Sequence, residues 1–391
     1  MKAESQYSPL NSKTCITLVA GIVLLTFFCV SRLWNVGLFP VVSDEAMYIN
    51  LGQIVSEDFT DMALFRKEGK HPLFMWLTAI SLQVFSDPLL AGRTVSILSG
   101  LSSLCAIFLI ARMLYTKRIA WIAACLWLFC PFTFFFDRLA LVESLLCSTG
   151  LWTAWYALKL ARGKWKGPKL FFILGTLAGL SFFTKAGALL FYPVILFILA
   201  IWKMPERADL TKSVGWALLG AGPWILPLML FGKEIGYFNR TDLMQLPHIF
   251  LTPEVLATFP WTVWGDNLLA MTVFYISYLS LPLVLVLSLG ILISLKERSK
   301  EDLALLFWAF FPALLILIFT KGFYSRYLLM FVPPLILLSA RACSELSDFI
   351  IERWAPKIRS KEFLSAGILC LVLAVTLSDA FFLPGNWQTI H

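Results

Sequence analysis

The sequence predicts an all-α polytopic membrane protein of about eleven transmembrane helices, with one further helix lying along the membrane in the first external loop. Three observations carry this. The 391 residues are 59% hydrophobic and 14% charged, with a mean hydropathy of +0.80, whereas a soluble domain is about one quarter charged. The apolar residues fall in runs near the roughly 20 residues a helix needs to cross a bilayer. Lys and Arg gather in alternate loops, as they do on the cytoplasmic side of membrane proteins.

The expected spans, in order, are Cys15–Trp34, Arg93–Leu114, Ile119–Phe136, Leu139–Leu160, Leu170–Phe183, Ala188–Trp202, Val214–Phe231, Leu268–Leu295, Leu303–Thr320, Tyr327–Ala342 and Phe363–Leu383. The first follows Lys2 and Lys13 but runs into Arg32 and Trp34 with no small-residue cleavage site, so it reads as a retained span. A single helix from Leu170 to Trp202 would be roughly 50 Å long and would bury Lys185 in mid-bilayer. Two short helices meeting at Thr184-Lys185-Ala186-Gly187 fit better. The apolar stretch Pro72–Phe85 is short. If it crossed, the cluster from Lys159 to Lys169 would face outward, against the positive-inside pattern. It therefore belongs to an external loop. With a cytoplasmic N-terminus, two thirds of the 32 basic residues then lie inside.

The net charge of +8 belongs to this loop pattern; no compact basic face or base-reading module points to nucleic acid. The eight cysteines lie mostly inside apolar runs and form no metal-ligand pairs or disulfide framework. There is no Walker A loop, dinucleotide fingerprint, zinc motif or nucleophile elbow. A sugar donor, if there is one, has to arrive through the membrane on a lipid.

The same topology collects Asp44, Glu45, Asp137, Arg138, Glu143, Lys185, Lys321 and Arg326 on the outer face. Ser43-Asp44-Glu45 follows the first span; a carboxylate there could act as a base, or the triplet could simply begin a helix. His71-Pro72 opens the surface helix and reads either as a substrate contact or as an ordinary helix start. Glu143 lies one turn inside a span, where an ionisable group is costly and marks function unless it pairs with Arg138 or Arg93. Arg93, Lys185, Lys321 and Arg326 could neutralise a phosphate leaving group, or contact lipid headgroups.

Taken together, these segments resemble the GT-C superfamily of membrane glycosyltransferases, of the protein O-mannosyltransferase and lipid A aminoarabinose transferase type. The resemblance lies in Asp44-Glu45-Ala46-Met47-Tyr48, then His71-Pro72-Leu73-Phe74, Arg93 at a span start, and Arg138-Leu139-Ala140-Leu141-Val142-Glu143. Thr184-Lys185-Ala186-Gly187 follows, and then Tyr324-Ser325-Arg326-Tyr327-Leu328 with Pro333-Pro334. It covers most of residues 15–200. The sequence departs from the pattern in having Glu143 for Asp and Leu73 for a second proline, and in ending near the last span.

The resemblance implies a single membrane domain over residues 1–391, with 15–231 as the catalytic module, 268–383 as C-terminal helices, and no soluble C-terminal domain. It implies inverting transfer of a sugar from a polyprenyl-phosphate donor to a lipid, glycan or protein acceptor at the external face of an inner or plasma membrane. By the same resemblance, Asp44 is the base, and Glu45 and Glu143 position substrate or a divalent metal, with Asp44 and Glu143 as the metal candidates. His71, Arg93, Arg138, Lys185, Lys321, Arg326 and Tyr327 bind substrate or phosphate. No cofactor is required by the sequence. A transporter or flippase of lipid-linked sugars is the rival class, and a catalytically inactive relative the third.

Overall fold

The computed structural model describes residues 12–58, 70–163, 167–203, 209–232 and 250–354. Among them the chain is helical, with one isolated bridge between Phe250 and Thr320. Helix α1 is Ser12–Leu33, α2 Ser43–Glu57, α3 Leu73–Leu82, α4 Pro88–Leu114, α5 Lys117–Phe129, α6 Pro131–Phe136 and α7 Val142–Ala161. Then follow α8 Leu170–Thr184, α9 Phe191–Ile201, α10 Leu210–Gly232, α11 Pro253–Ala257, α12 Trp261–Leu279, α13 Leu281–Glu297, α14 Lys300–Phe319 and α15 Val332–Trp354. Short 3-10 turns cover Ala186–Leu190 and Ser325–Phe331.

Local sequence sets the boundaries. Asp87 caps α4, its carboxylate accepting from the Leu89 amide at 2.9 Å, with Pro88 in the first turn. Thr116 caps α5, and Ser299 with Asp302 forms a capping box on α14. Pro131 divides the expected span Ile119–Phe136 into α5 and α6. The expected tip after Thr184 is present: α8 ends there, Lys185 is extended, and the chain returns through the 3-10 turn into α9.

A second expected span is also divided. Leu268–Leu295 is not a continuous helix. It is two, α12 and α13, bent by 113° at Ser280, where φ is +70° and Pro282 stands in the first turn of α13. Proline lacks the amide that would continue α12's hydrogen bonding, and a left-handed residue turns the chain.

Among the described residues, five helices are long and apolar enough to cross a membrane: Thr17–Leu38, Pro88–Leu114, Leu210–Leu230, Lys300–Phe319 and Ser325–Arg353. The bent pair makes up to six. Helices α3, α8 and the segment Ala186–Ile201 are apolar but shorter. The expected span Phe363–Leu383 lies outside the described residues.

Helices α4, α5, α7 and α15 form the interior. Helix α7 carries Ser144, Ser148 and Thr153, all buried, so its polar groups face protein. Helices α1 and α10 keep large apolar side chains exposed, among them Ile22, Val23, Leu218 and Leu230, as helices facing lipid do. Helix α10 is joined to α8 by a glycine seam. A Cβ on Gly175 would sit 1.9 Å from the Ala217 carbonyl oxygen, and one on Gly220 2.0 Å from that of Phe172. The two backbones touch because these positions carry no side chain.

Candidate functional site: an acid and cation cluster at one end of the bundle

Four separate segments converge. The first turn of α2 supplies Asp44, and the first turn of α7 supplies Glu143. The tip between α8 and α9 supplies Lys185, and the 3-10 turn before α15 supplies Arg326. Arg326 Nη2 lies 2.6 Å from Asp44 Oδ2, and its Nε lies 3.4 Å from Glu143 Oε1. Lys185 Nζ donates to Glu143 Oε1 at 2.6 Å. The two cations thus stand between and beside the two acids. The acids differ in access: the Asp44 side chain is 36% exposed and that of Glu143 5%. The second Glu143 oxygen, Oε2, is buried and has no hydrogen-bond partner among the described residues.

Aromatic rings wall the cluster. Lys185 lies over the Tyr327 ring at 4.7 Å, and Arg326 over Tyr324 at 4.3 Å and Tyr327 at 5.5 Å. The rings hold the cations in place without using their hydrogen bonds. Tyr48, one turn after Asp44, is buried against Phe74. Burial, with Glu143 and Asp44 nearby, pushes its phenol well up, so it stays protonated. Neither Tyr48 nor Tyr324 stood among the sequence candidates. Tyr48 carried a usable signal, standing one helical turn from Asp44.

His71 comes in from the side, stacking edge-on against Phe182 at 5.2 Å beside the Lys185 tip. Burial, with some help from Lys185, lowers its pKa to about 4, so the ring is neutral at physiological pH.

The other sequence candidates are placed elsewhere. Glu45 and Arg93 are both fully buried and bind each other in a two-pronged pair at 2.7 and 2.8 Å. Glu45 Oε1 also accepts from the Ala140 amide at 2.7 Å. Arg93 donates further to the Phe39 carbonyl at 3.0 Å and to the Val36 carbonyl. Arg138 donates to the carbonyls of Trp34 and Asn35 at 2.8 and 2.6 Å and packs over Phe39 and Phe134. The structure therefore turns Arg93 and Arg138, expected at the phosphate, onto the loop between α1 and α2. Glu45 ties that loop to the segment before α7. Lys321 is exposed and joins none of these ion pairs among the described residues. Ser43-Asp44-Glu45 does begin a helix, with both acids inside the first turn of α2, but Ser43 does not cap it: the N-cap is Val42, with no side-chain cap.

The donor set does not fit a divalent ion. No group of three His, Cys, Asp or Glu lies together among the described residues. Asp44 and Glu143 each have a cation 2.6 Å away.

The helical fold that carries these facing acids and cations is similar to that of the GT-C glycosyltransferases. The comparisons agree. The family model for dolichyl-phosphate-mannose-protein mannosyltransferase matches residues 69–230. An undecaprenyl phosphate-alpha-4-amino-4-deoxy-L-arabinose arabinosyl transferase of Proteus mirabilis is 24% identical over 95% of this chain and 68% of its own. The structure of ArnT from Cupriavidus metallidurans bound to undecaprenyl phosphate superposes with a TM-score of 0.62 at 14% identity, covering 95% of this chain and 76% of that one. The oligosaccharyltransferase AglB of Archaeoglobus fulgidus, in complex with an inhibitory peptide and a dolichol-phosphate, gives 0.60 at 16% identity, over 97% of this chain and 56% of that one. The chain is similar to the GT-C membrane glycosyltransferases of the aminoarabinose transferase type, as its motifs imply.

Proposed function

We propose that the protein transfers a sugar from a polyprenyl-phosphate donor to a hydroxyl or other nucleophile of a lipid, glycan or protein acceptor. The observation that carries this is the contact of Arg326 and Lys185 with Asp44 and Glu143: an accessible acid and two ring-held cations side by side. Asp44 takes the proton from the acceptor nucleophile. The freed oxygen attacks the anomeric carbon from the face opposite the phosphate. The bond from that carbon to the phosphate oxygen breaks, and its electron pair leaves with the polyprenyl phosphate, inverting the anomeric centre. Arg326 and Lys185 neutralise that charge as it develops. Glu143 holds Lys185, and its free Oε2 accepts a sugar hydroxyl. No step runs through a metal.

The site faces outward from a cytoplasmic N-terminus in an inner or plasma membrane, which the loop charges support. An apolar recess of about 550 Å³ between α12, α14 and α15, lined by residues such as Met271, Tyr275, Phe311 and Leu314, has the chemistry to take a prenyl chain. A transporter would hold its charges near mid-membrane, and no observation favours one.

The test is transfer of radiolabelled sugar from a panel of polyprenyl-phosphate donors to a membrane acceptor fraction by the purified protein in nanodiscs. Wild type is expected to transfer label, and Asp44→Asn to be folded and inactive. Full activity in Asp44→Asn overturns the base assignment. Absence of transfer by wild type across the panel, with donor bound, overturns the transferase reading.

A further inference from the structure

We infer that Asp137 and Arg32 form a positioning pair that sets where Glu143 stands relative to Asp44; the inference rests on the transferase reading. Arg32 ends α1, at the root of the loop that leads to Asp44. Asp137 ends α6, at the root of the segment that leads to Glu143. Both are nearly inaccessible, at 1% and 2%. Their closest approach is 3.8 Å, from Arg32 Nε to Asp137 Oδ2, longer than a hydrogen bond. Arg32 Nη1 donates to Ser31, and its guanidinium lies over the rings of Phe28 and Phe134. Arg32 Nε and Nη2 and Asp137 Oδ2 have no hydrogen-bond partner among the described residues. A buried pair in this state is costly, and well-packed apolar side chains would hold the two roots together more cheaply.

What the pair does is specify. Asp137 Oδ1 lies 3.2 Å from the Ser144 hydroxyl, on the residue next to Glu143. The seat for this carboxylate is cut to fit: a Cβ on Gly100 in α4 would fall 2.3 to 2.5 Å from its three atoms. Glycine in the middle of a helix is destabilising relative to alanine, and here its missing side chain leaves the space that Asp137 fills. The neighbouring grips on the same segment are Ser96 on the Leu141 carbonyl, Glu45 on the Ala140 amide, and Arg138 on the Trp34 and Asn35 carbonyls. They hold backbone. Among the described residues, Asp137 alone links the segment by side chain both to α1 and to the first turn of α7. Displacing it lets that turn swivel and moves Glu143 away from Lys185 and Arg326.

The experiment is a double-mutant cycle of Asp137→Asn with Glu143→Gln, in purified protein with radiolabelled donor, reading kcat, KM for donor and thermal stability. A substrate-positioning error of this kind costs roughly tenfold or more in rate. Asp137→Asn is expected to fold and lose about that factor in kcat, with KM for donor within about twofold of wild type. In the Glu143→Gln background it is expected to cost nothing further, because the group it positions is already lost. Gly100→Ala, which keeps every charge and displaces only the carboxylate, runs the same cycle and serves if Asp137→Asn does not fold. An unimpaired Asp137→Asn, or the same loss in both backgrounds, overturns the inference while wild type still transfers. A wild type without transfer overturns the transferase reading and this inference together.

Discussion

Asp44 and Glu143 are both acids within reach of Arg326, yet only one is open to an incoming acceptor. Their roles therefore separate on access. Glu143→Gln keeps the shape and removes the charge that holds Lys185. It is expected to lower kcat by about 100-fold or more, as loss of a preorganised charge in a catalytic site does, and steady-state transfer assays check this. Glu45 is a different case. Its carboxylate is fully buried and committed to Arg93 and the Ala140 amide. Glu45→Ala leaves a buried guanidinium unmatched, and breaking such a pair costs about 3–5 kcal/mol. A lower thermal midpoint and poor yield are expected, with no selective change in KM. His71 gives the pH prediction. Its folded pKa of about 4 lies below the unfolded value of 6.5. The unfolded chain thus binds the extra proton more readily. The stability His71 provides is complete above pH 6.5 and falls as pH drops toward 4. Thermal melts from pH 7 to pH 4 should fall more steeply for wild type than for His71→Gln. At this scale the sequence led to Asp44, Glu143, Lys185 and Arg326 because each is a charge at the end of an apolar run. It gave no sign of where Arg93 and Arg138 turn, because the acceptors they reach in the loop at Trp34–Phe39 are backbone carbonyls, which have no letter in the sequence; Arg93 holds the Glu45 carboxylate as well. The Arg32–Asp137 pair was hidden for a related reason: it joins two loop roots that are far apart in the chain.

The helices themselves were legible where an apolar run has a clear stop. The tip at Lys185 follows from the length of the Leu170–Trp202 run and the misfit of a buried lysine. The 113° bend between α12 and α13 was not read, because Ser280-Leu281-Pro282 sits inside an unbroken apolar stretch and hydropathy alone does not register a turn. The α8–α10 seam shows what an element-scale constraint looks like. Gly175 and Gly220 meet main chain on the other helix, which has no rotamer to yield. Gly175→Leu is expected to destabilise the protein by at least the 1–3 kcal/mol typical of overpacking. By contrast, Gly215→Ala, which meets nothing within 4 Å, should be neutral or stabilising. Parallel melts in detergent check both.

For the whole molecule, the loop charges and the site agree on one arrangement: Arg326 and Lys185 at one end of the bundle, and the basic turns at the other. The second end has its own buried clamp, where Asp302 accepts from Tyr115 at 2.8 Å, from Ser299 at 2.5 Å and from Arg341. This arrangement predicts the topology. In a cysteine-free background, Lys321→Cys should react with an impermeant maleimide added to intact cells, and Arg298→Cys only after the membrane is opened. The reverse pattern would invert the orientation drawn from loop charge.

The four groups at the site sum to no net charge, since two carboxylates stand against one ammonium and one guanidinium. An approaching anion therefore meets little long-range pull from them. What it gains, it gains by exchange at contact, taking a carboxylate's place on the Arg326 fork. Added salt weakens attraction over distances beyond about 8 Å at physiological strength, and such an exchange works well inside that distance. Carrier affinity should thus change little with sodium chloride, yet fall with sulfate, whose oxygens fit the same fork.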